Sequence, residues 1–143
     1  MDDIYDITII GGGPSGLYSA FYAGLRDLKT KIIEYKSTLG GKLHIYPEKI
    51  IWDIGGLPAT PAQQVMENLI EQGLTFNPTV CLNTKVDFVT KKGDVFIIET
   101  STGEKHFSKK VVVAVGGGII SPIKLYVEGD EKYEVSNLHY TIR

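Results

Sequence analysis

The sequence predicts an α/β fold, a parallel sheet flanked by helices with a small antiparallel β-meander attached. Three observations predict it. A β-branched apolar run at residues 4–10 breaks into Gly11-x-Gly13-x-x-Gly16 and then into helically spaced apolar residues. Residues 85–108 hold three short strand patterns separated by tight-turn residues. Residues 110–115 are a continuous apolar run ending in three glycines, Gly116 to Gly118. Such a run suits a strand covered on both faces, as in a parallel sheet, whereas the meander suits an antiparallel sheet.

Residues 4–10 read as the first strand. Gly11 permits backbone angles that a side chain forbids, Gly13 lets a phosphate approach the backbone, and Gly16 lets the following helix pack close to the strand. Leu17-Tyr-Ser-Ala-Phe-Tyr-Ala23 continues as that helix, whose first amides and dipole favour an anion. A glycine turn alone often does no more than connect two elements. Here a second apolar run at residues 31–34 closes a βαβ unit, with Glu34 placed 18 positions after Gly16. A carboxylate at that place accepts hydrogen bonds from a ribose diol and repels a 2′-phosphate. The unit therefore reads as an adenine-dinucleotide site suited to FAD or NAD better than to NADP.

Residues 36–58 are too irregular for a long helix or strand and too apolar and aromatic for disorder, which makes them a binding loop. Thr60-Pro-Ala-Gln63 reads as a helix start, with Thr60 as N-cap and Pro61 at the first helical position. Val65, Met66, Leu69 and Ile70 supply its apolar stripe, and Gly73 ends it. Residues 80–82 form a short strand, and residues 85–89, 95–100 and 105–108 the meander. The run at 110–115 returns to the centre of the parallel sheet, and its glycine turn again allows close approach of a ligand. From Ile119 onward the pattern loosens.

At 143 residues and 43% hydrophobic residues, the chain suits one globular domain. A formal net charge of −2 and scattered lysines give no basic face for nucleic acid. No run approaches the roughly 18 apolar residues of a membrane span, and no basic leader precedes the first strand, so a cytoplasmic protein is expected. Cys81 is the single cysteine, so the chain can form neither an internal disulfide nor a dithiol pair, and it is expected in a buried strand position. His44, His106 and His139 stand apart without partners at ligand spacing, so no metal site is expected.

Residues 5–17, Leu39-Gly-Gly-Lys-Leu43, Tyr46-Pro-Glu-Lys49, Asp53-Ile-Gly-Gly-Leu-Pro58, Ala114-Val-Gly-Gly117 and Asn137-Leu-His-Tyr140 follow one another in an order that resembles a known family. The chain resembles the FAD domain of the ferredoxin–NADP reductases of the thioredoxin-reductase-like type, over its whole length. The resemblance implies a Rossmann-like FAD-binding domain, here incomplete. Residues 1–118 would be its N-terminal portion, and residues 119–143 a crossover toward an NADP-binding domain outside this chain.

The implied contacts are Gly11, Gly13, Ser15 and Gly16 to the pyrophosphate, Glu34 to the ribose and Val86 to the adenine. Lys42, Tyr46 and Ile120 would lie at the flavin end, with Tyr46 stacking on the ring; Trp52 and Asp53 are further candidates. Lys42 departs from the Gln that many relatives carry in this position. The implied activity passes hydride from NADPH to FAD and then single electrons to ferredoxin or flavodoxin, in a homodimeric parent, with no catalytic nucleophile or base required. The chain would be a fragment of that parent and inactive by itself. Where thioredoxin reductases carry their Cys-x-x-Cys, this sequence has Leu138-His-Tyr-Thr141, which disfavours but leaves open a disulfide reductase. A non-catalytic nucleotide-binding module is the other alternative.

Overall fold

The computed structural model of the chain describes residues 3–119, 127, 129, 131–134 and 136. The first apolar run becomes two strands, because Asp6 interrupts it. The Asp6 amide donates to the Lys29 carbonyl at 3.0 Å, and its carboxylate accepts the Lys29 amide at 2.9 Å and the Lys109 ammonium at 2.7 Å. Strand β1 (Ile4–Tyr5) thereby enters one sheet and β2 (Ile7–Ile10) another.

Helix α1 (Pro14–Gly24) and β3 (Thr30–Ile33) complete the βαβ unit. A 3-10 turn (Gly41–His44) and a small antiparallel pair, β4 (Ile50–Ile51) with β5 (Thr60–Pro61), lead into α2 (Ala62–Leu74). Then follow β6 (Thr79–Cys81), β7 (Val86–Lys92), β8 (Val95–Thr100), β9 (Lys105–Ser108), β10 (Val111–Val113) and a helical turn, α3 (Glu131–Glu134). The parallel sheet has the order β10-β2-β3-β6. The meander has the order β1-β9-β8-β7, antiparallel except for β1, which runs parallel to β9.

Strand alternation splits the apolar residues between two cores. Ile9 and Ile32 face the helices and pack with Leu17, Ala20 and Leu39, with Leu69, Ile70 and Leu74 of α2 beside them. Ile10 and Ile33 face the other way, onto Ile98 of β8. Each fully buried side chain of this size contributes about 2 kcal/mol of transfer free energy. The parallel sheet is thus covered on both faces, as its unbroken apolar strands require.

Four expectations are corrected. Thr60 does not cap α2: it pairs with Ile51 in the small hairpin, its hydroxyl donates to the Pro58 carbonyl at 2.7 Å, and Pro61 takes the N-cap place without a side-chain cap. Gly73 does not end α2, which runs one residue further. A Cβ there would lie 2.9 Å from Leu17 Cδ2, so this glycine serves the α1–α2 packing. Strand β10 stands at the edge of the described sheet, and Cys81 is half-buried.

Candidate dinucleotide site

From β2 the chain builds β3 and then β6 on one side, and later returns to lay β10 on the other. This reversal leaves a crevice beyond the C-terminal ends of β2 and β10, the place where open α/β sheets take their ligands. Both glycine turns, at Gly11–Gly13 and Gly116–Gly118, stand there. Gly11 has φ +109°, and a Cβ on it would lie 2.4 Å from the Ala114 carbonyl oxygen, so the crossing of the two strand ends admits no side chain. A Cβ on Gly16 would lie 1.9 Å from the Gly11 oxygen, which makes this glycine the condition for α1 to sit on its turn.

Gly13 differs from both. Its backbone is ordinary, φ −80° and ψ −174°, and a Cβ would meet nothing nearer than Gly41 Cα at 3.7 Å. It is the N-cap of α1 yet offers no side-chain cap, and the first turn carries no acid. The first amides of α1 are therefore free to bind an anion, with the helix dipole behind them. Ser15, in that first turn, is exposed.

Glu34 directly follows β3 and is 8% exposed. One carboxylate oxygen accepts the Gly12 amide at 2.6 Å and the other accepts the Lys36 amide at 2.8 Å. The carboxylate thus ties the glycine turn to the chain leaving β3, and each oxygen keeps a further lone pair for a ribose hydroxyl. The Thr84 amide donates to the Glu34 carbonyl and the Asn83 amide to that of Lys36, both at 2.9 Å, which brings the start of β7, and with it Val86, alongside Glu34. Val86 itself is half-buried against the core formed by Ile10, Ile33 and Ile98.

A second glycine pair faces the first. The Gly40 amide donates to the Gly12 carbonyl at 2.8 Å, and both Gly40 and Gly41 have positive φ, +113° and +63°. A Cβ on Gly41 would stand 2.8 Å from Gly13 Cα. The 3-10 turn that follows carries Lys42, whose ammonium lies 2.8 Å from where a Cβ on Gly117 would be. Lys42 is thereby joined to the β10 side of the crevice. Tyr46 is 39% exposed, with the Lys49 ammonium 4.3 Å from its ring centroid. Trp52 and Asp53 stand on the β4–β5 connection, where Trp52 is 75% exposed. Ile120 lies outside the described residues.

The sequence reading missed the parts of this site that link loops remote in the chain, namely Gly40 to Gly12 and Lys42 to Gly117. The Gly40-Gly41 pair was a signal for the first, since two glycines in an apolar loop often mark positive φ. A groove lined by Ile7, Tyr18, Tyr22, Arg26 and Leu28 shares no residue with the crevice. Cys81 is no thiolate at neutral pH, because burial pushes its thiol up from the ordinary value. Among the described residues no helix is long and apolar enough to cross a membrane.

The chain is similar to proteins known by name. Ferredoxin–NADP reductase 3 of Lysinibacillus sphaericus is 61% identical over all of this chain, and ferredoxin–NADP reductase 1 of Bacillus thuringiensis is 57% identical over 99% of it. In each case the chain spans 41% of the relative's length. The crystal structure of a thioredoxin reductase from Streptococcus pyogenes superposes on 93% of the chain with a TM-score of 0.71 at 26% identity, and 41% of that structure is covered. The profile of the family described as pyridine nucleotide-disulphide oxidoreductase matches residues 5–142. With the strand reversal, the glycine turn and the acid at the end of β3 in the arrangement such a fold uses, the chain belongs to the pyridine nucleotide-disulphide oxidoreductase family.

Proposed function

We propose that this chain is the FAD-holding portion of a ferredoxin– or flavodoxin–NADP reductase. The observation that carries the proposal is the uncapped N-terminus of α1, which opens at the strand reversal with Glu34 beside it. The similarity to proteins named ferredoxin–NADP reductase supports it. The residues fit a dinucleotide: a Cβ on Gly13 would meet a single atom, at ordinary contact distance, the helix amides supply donors, and Glu34 holds unused lone pairs next to the backbone that lines the cradle.

In this reading Gly11, Gly13, Gly16 and Ser15 hold the pyrophosphate, Glu34 the ribose, and Val86 the adenine. Lys42 and Tyr46 flank the flavin, with Ile120 completing the pocket. FAD, when bound, supplies the conversion between two-electron and one-electron transfer. This chain's residues bind and orient it, and none of them acts as nucleophile or base. Residues 1–118 form the FAD-holding portion and 119–143 lead toward the NADP-binding part of a homodimeric, cytoplasmic parent. A disulfide reductase would need two thiols, and this chain has one cysteine.

The test is a visible spectrum of the desalted 143-residue chain, followed by FAD titration. A flavin spectrum or saturable binding that weakens in Gly13→Val is expected. Absence of saturable FAD binding would overturn the reading for this chain.

A further inference from the structure

Away from the crevice, a buried lysine sits between the two sheets without an acid partner. Lys31 of β3 is 8% exposed, and among the described residues no carboxylate lies within 4.0 Å of its ammonium. Lysines this buried are rare unless paired. Its neighbours are instead the Tyr5 ring of β1, with the centroid 4.1 Å away, and His106 Nδ1 of β9 at 3.1 Å. An ammonium has donors alone, so Nδ1 is the acceptor and the ring proton resides on Nε2. His106 is 5% exposed, and its Nε2 has no hydrogen-bond partner within reach. The nearest acid, Glu104 in the β8–β9 turn, stands 3.7 Å away with its side chain 64% exposed.

We propose that Lys31 and His106 form a pH-released clasp between the parallel sheet and the meander. Neutral imidazole accepts the ammonium; uptake of a solvent proton at Nδ1 removes that acceptor and sets two cations side by side in a buried layer, which loosens the meander. The other groups facing the pair do not offset this. Glu104 is mostly in solvent, Cys81 of β6 is a neutral thiol, Tyr5 is a neutral ring, and Asp3 is held by Lys29. Burial first, and the Lys31 ammonium second, hold the imidazole below its ordinary value of 6.5, against a smaller opposing pull from Glu104. The unfolded chain therefore takes the proton first. Stability is full above 6.5 and is lost as pH falls from there through the folded-state value.

The experiment has two readouts. Nitrogen-15 imidazole shifts of the full chain should show His106 as the Nε2–H tautomer at neutral pH, titrating below 6.5; the Nδ1–H tautomer, or a midpoint at or above that value, would sink the idea. Thermal unfolding between about pH 7.5 and 5.5 should lower the midpoint of the wild type by roughly 4 °C more than that of His106→Gln, whose amide oxygen still accepts the ammonium but does not titrate. Parallel curves would overturn the clasp. If the glutamine variant fails to fold, Lys31→Met serves: with the ammonium gone, the His106 midpoint should rise, and an unchanged midpoint counts against the pair. Amide exchange should lose protection in β9 before β2 on acidification; equal loss in both sheets would refute a local release.

Discussion

Gly13 and Gly16 belong to one motif, yet a methyl group added to each meets opposite surroundings. At Gly13 the backbone is ordinary and the nearest heavy atom is 3.7 Å from the added carbon; at Gly16 it is 1.9 Å away and belongs to backbone. Gly13→Ala should therefore fold with an unchanged melting midpoint while FAD affinity falls by on the order of tenfold or more, as titration would show. Gly16→Ala should lose stability by roughly 3 kcal/mol or more in urea unfolding, whatever its ligand. Glu34 is a second case of one residue with two duties. Glu34→Ala leaves the buried Gly12 amide without its acceptor and should cost about 1–3 kcal/mol even without a ligand. The packing of Gly16 on its own turn was legible from spacing because both partners lie within one βαβ unit, whereas the contact of Gly11 with Ala114 comes from a strand end a hundred residues on. Lys42 could not be paired with Gly117 in the same way, since no local pattern links a 3-10 turn to a strand end so far along the chain.

At the scale of elements, hydrophobic alternation and turn residues placed the strands of the parallel sheet and the meander, because side-chain period and core face are the same physical fact, but not the two-residue strands β4 and β5, which are too short to show a period. The misses have local causes. Asp6 divides a run that looks continuous, since its carboxylate and amide are claimed by Lys29 and Lys109 and the chain must change sheets there. Thr60 carries the side chain of an N-cap but spends its hydroxyl on Pro58. Thr60→Ala should thus cost well under the roughly 1 kcal/mol of a true cap in equilibrium unfolding. Leu17 is fully buried and is met by Gly73 of α2, so Leu17→Ala should cost about 3–5 kcal/mol and loosen both helices together, readable as a loss of helical circular dichroism at lower urea.

The whole molecule was anticipated as an α/β fold with a meander, and it is one. What composition and periodicity did not reveal was the strand order. The position of β10 beside β2, at the edge of the described sheet, depends on long-range pairing, to which a local window is blind. That order brings the two glycine turns together, a convergence that no local pattern could show. The chain holds one Gly-x-Gly-x-x-Gly fingerprint, and the 143-residue protein should show no NADPH oxidation with an artificial acceptor even when loaded with FAD, as an absorbance assay would reveal.

Tyr5 and Ser108, joined by a hydrogen bond, are 103 residues apart, and the neighbouring β10–β2 pairing spans a similar length of chain. Closing a loop of that size costs roughly 4 kcal/mol of chain entropy before any contact rewards it. The β2-α1-β3 unit pairs within residues 7–33, but the second wall of the crevice arrives only with β10, after the whole meander. During synthesis the glycine cradle thus stands half-built while the whole meander is made, and any ligand that needs both glycine turns must wait for β10.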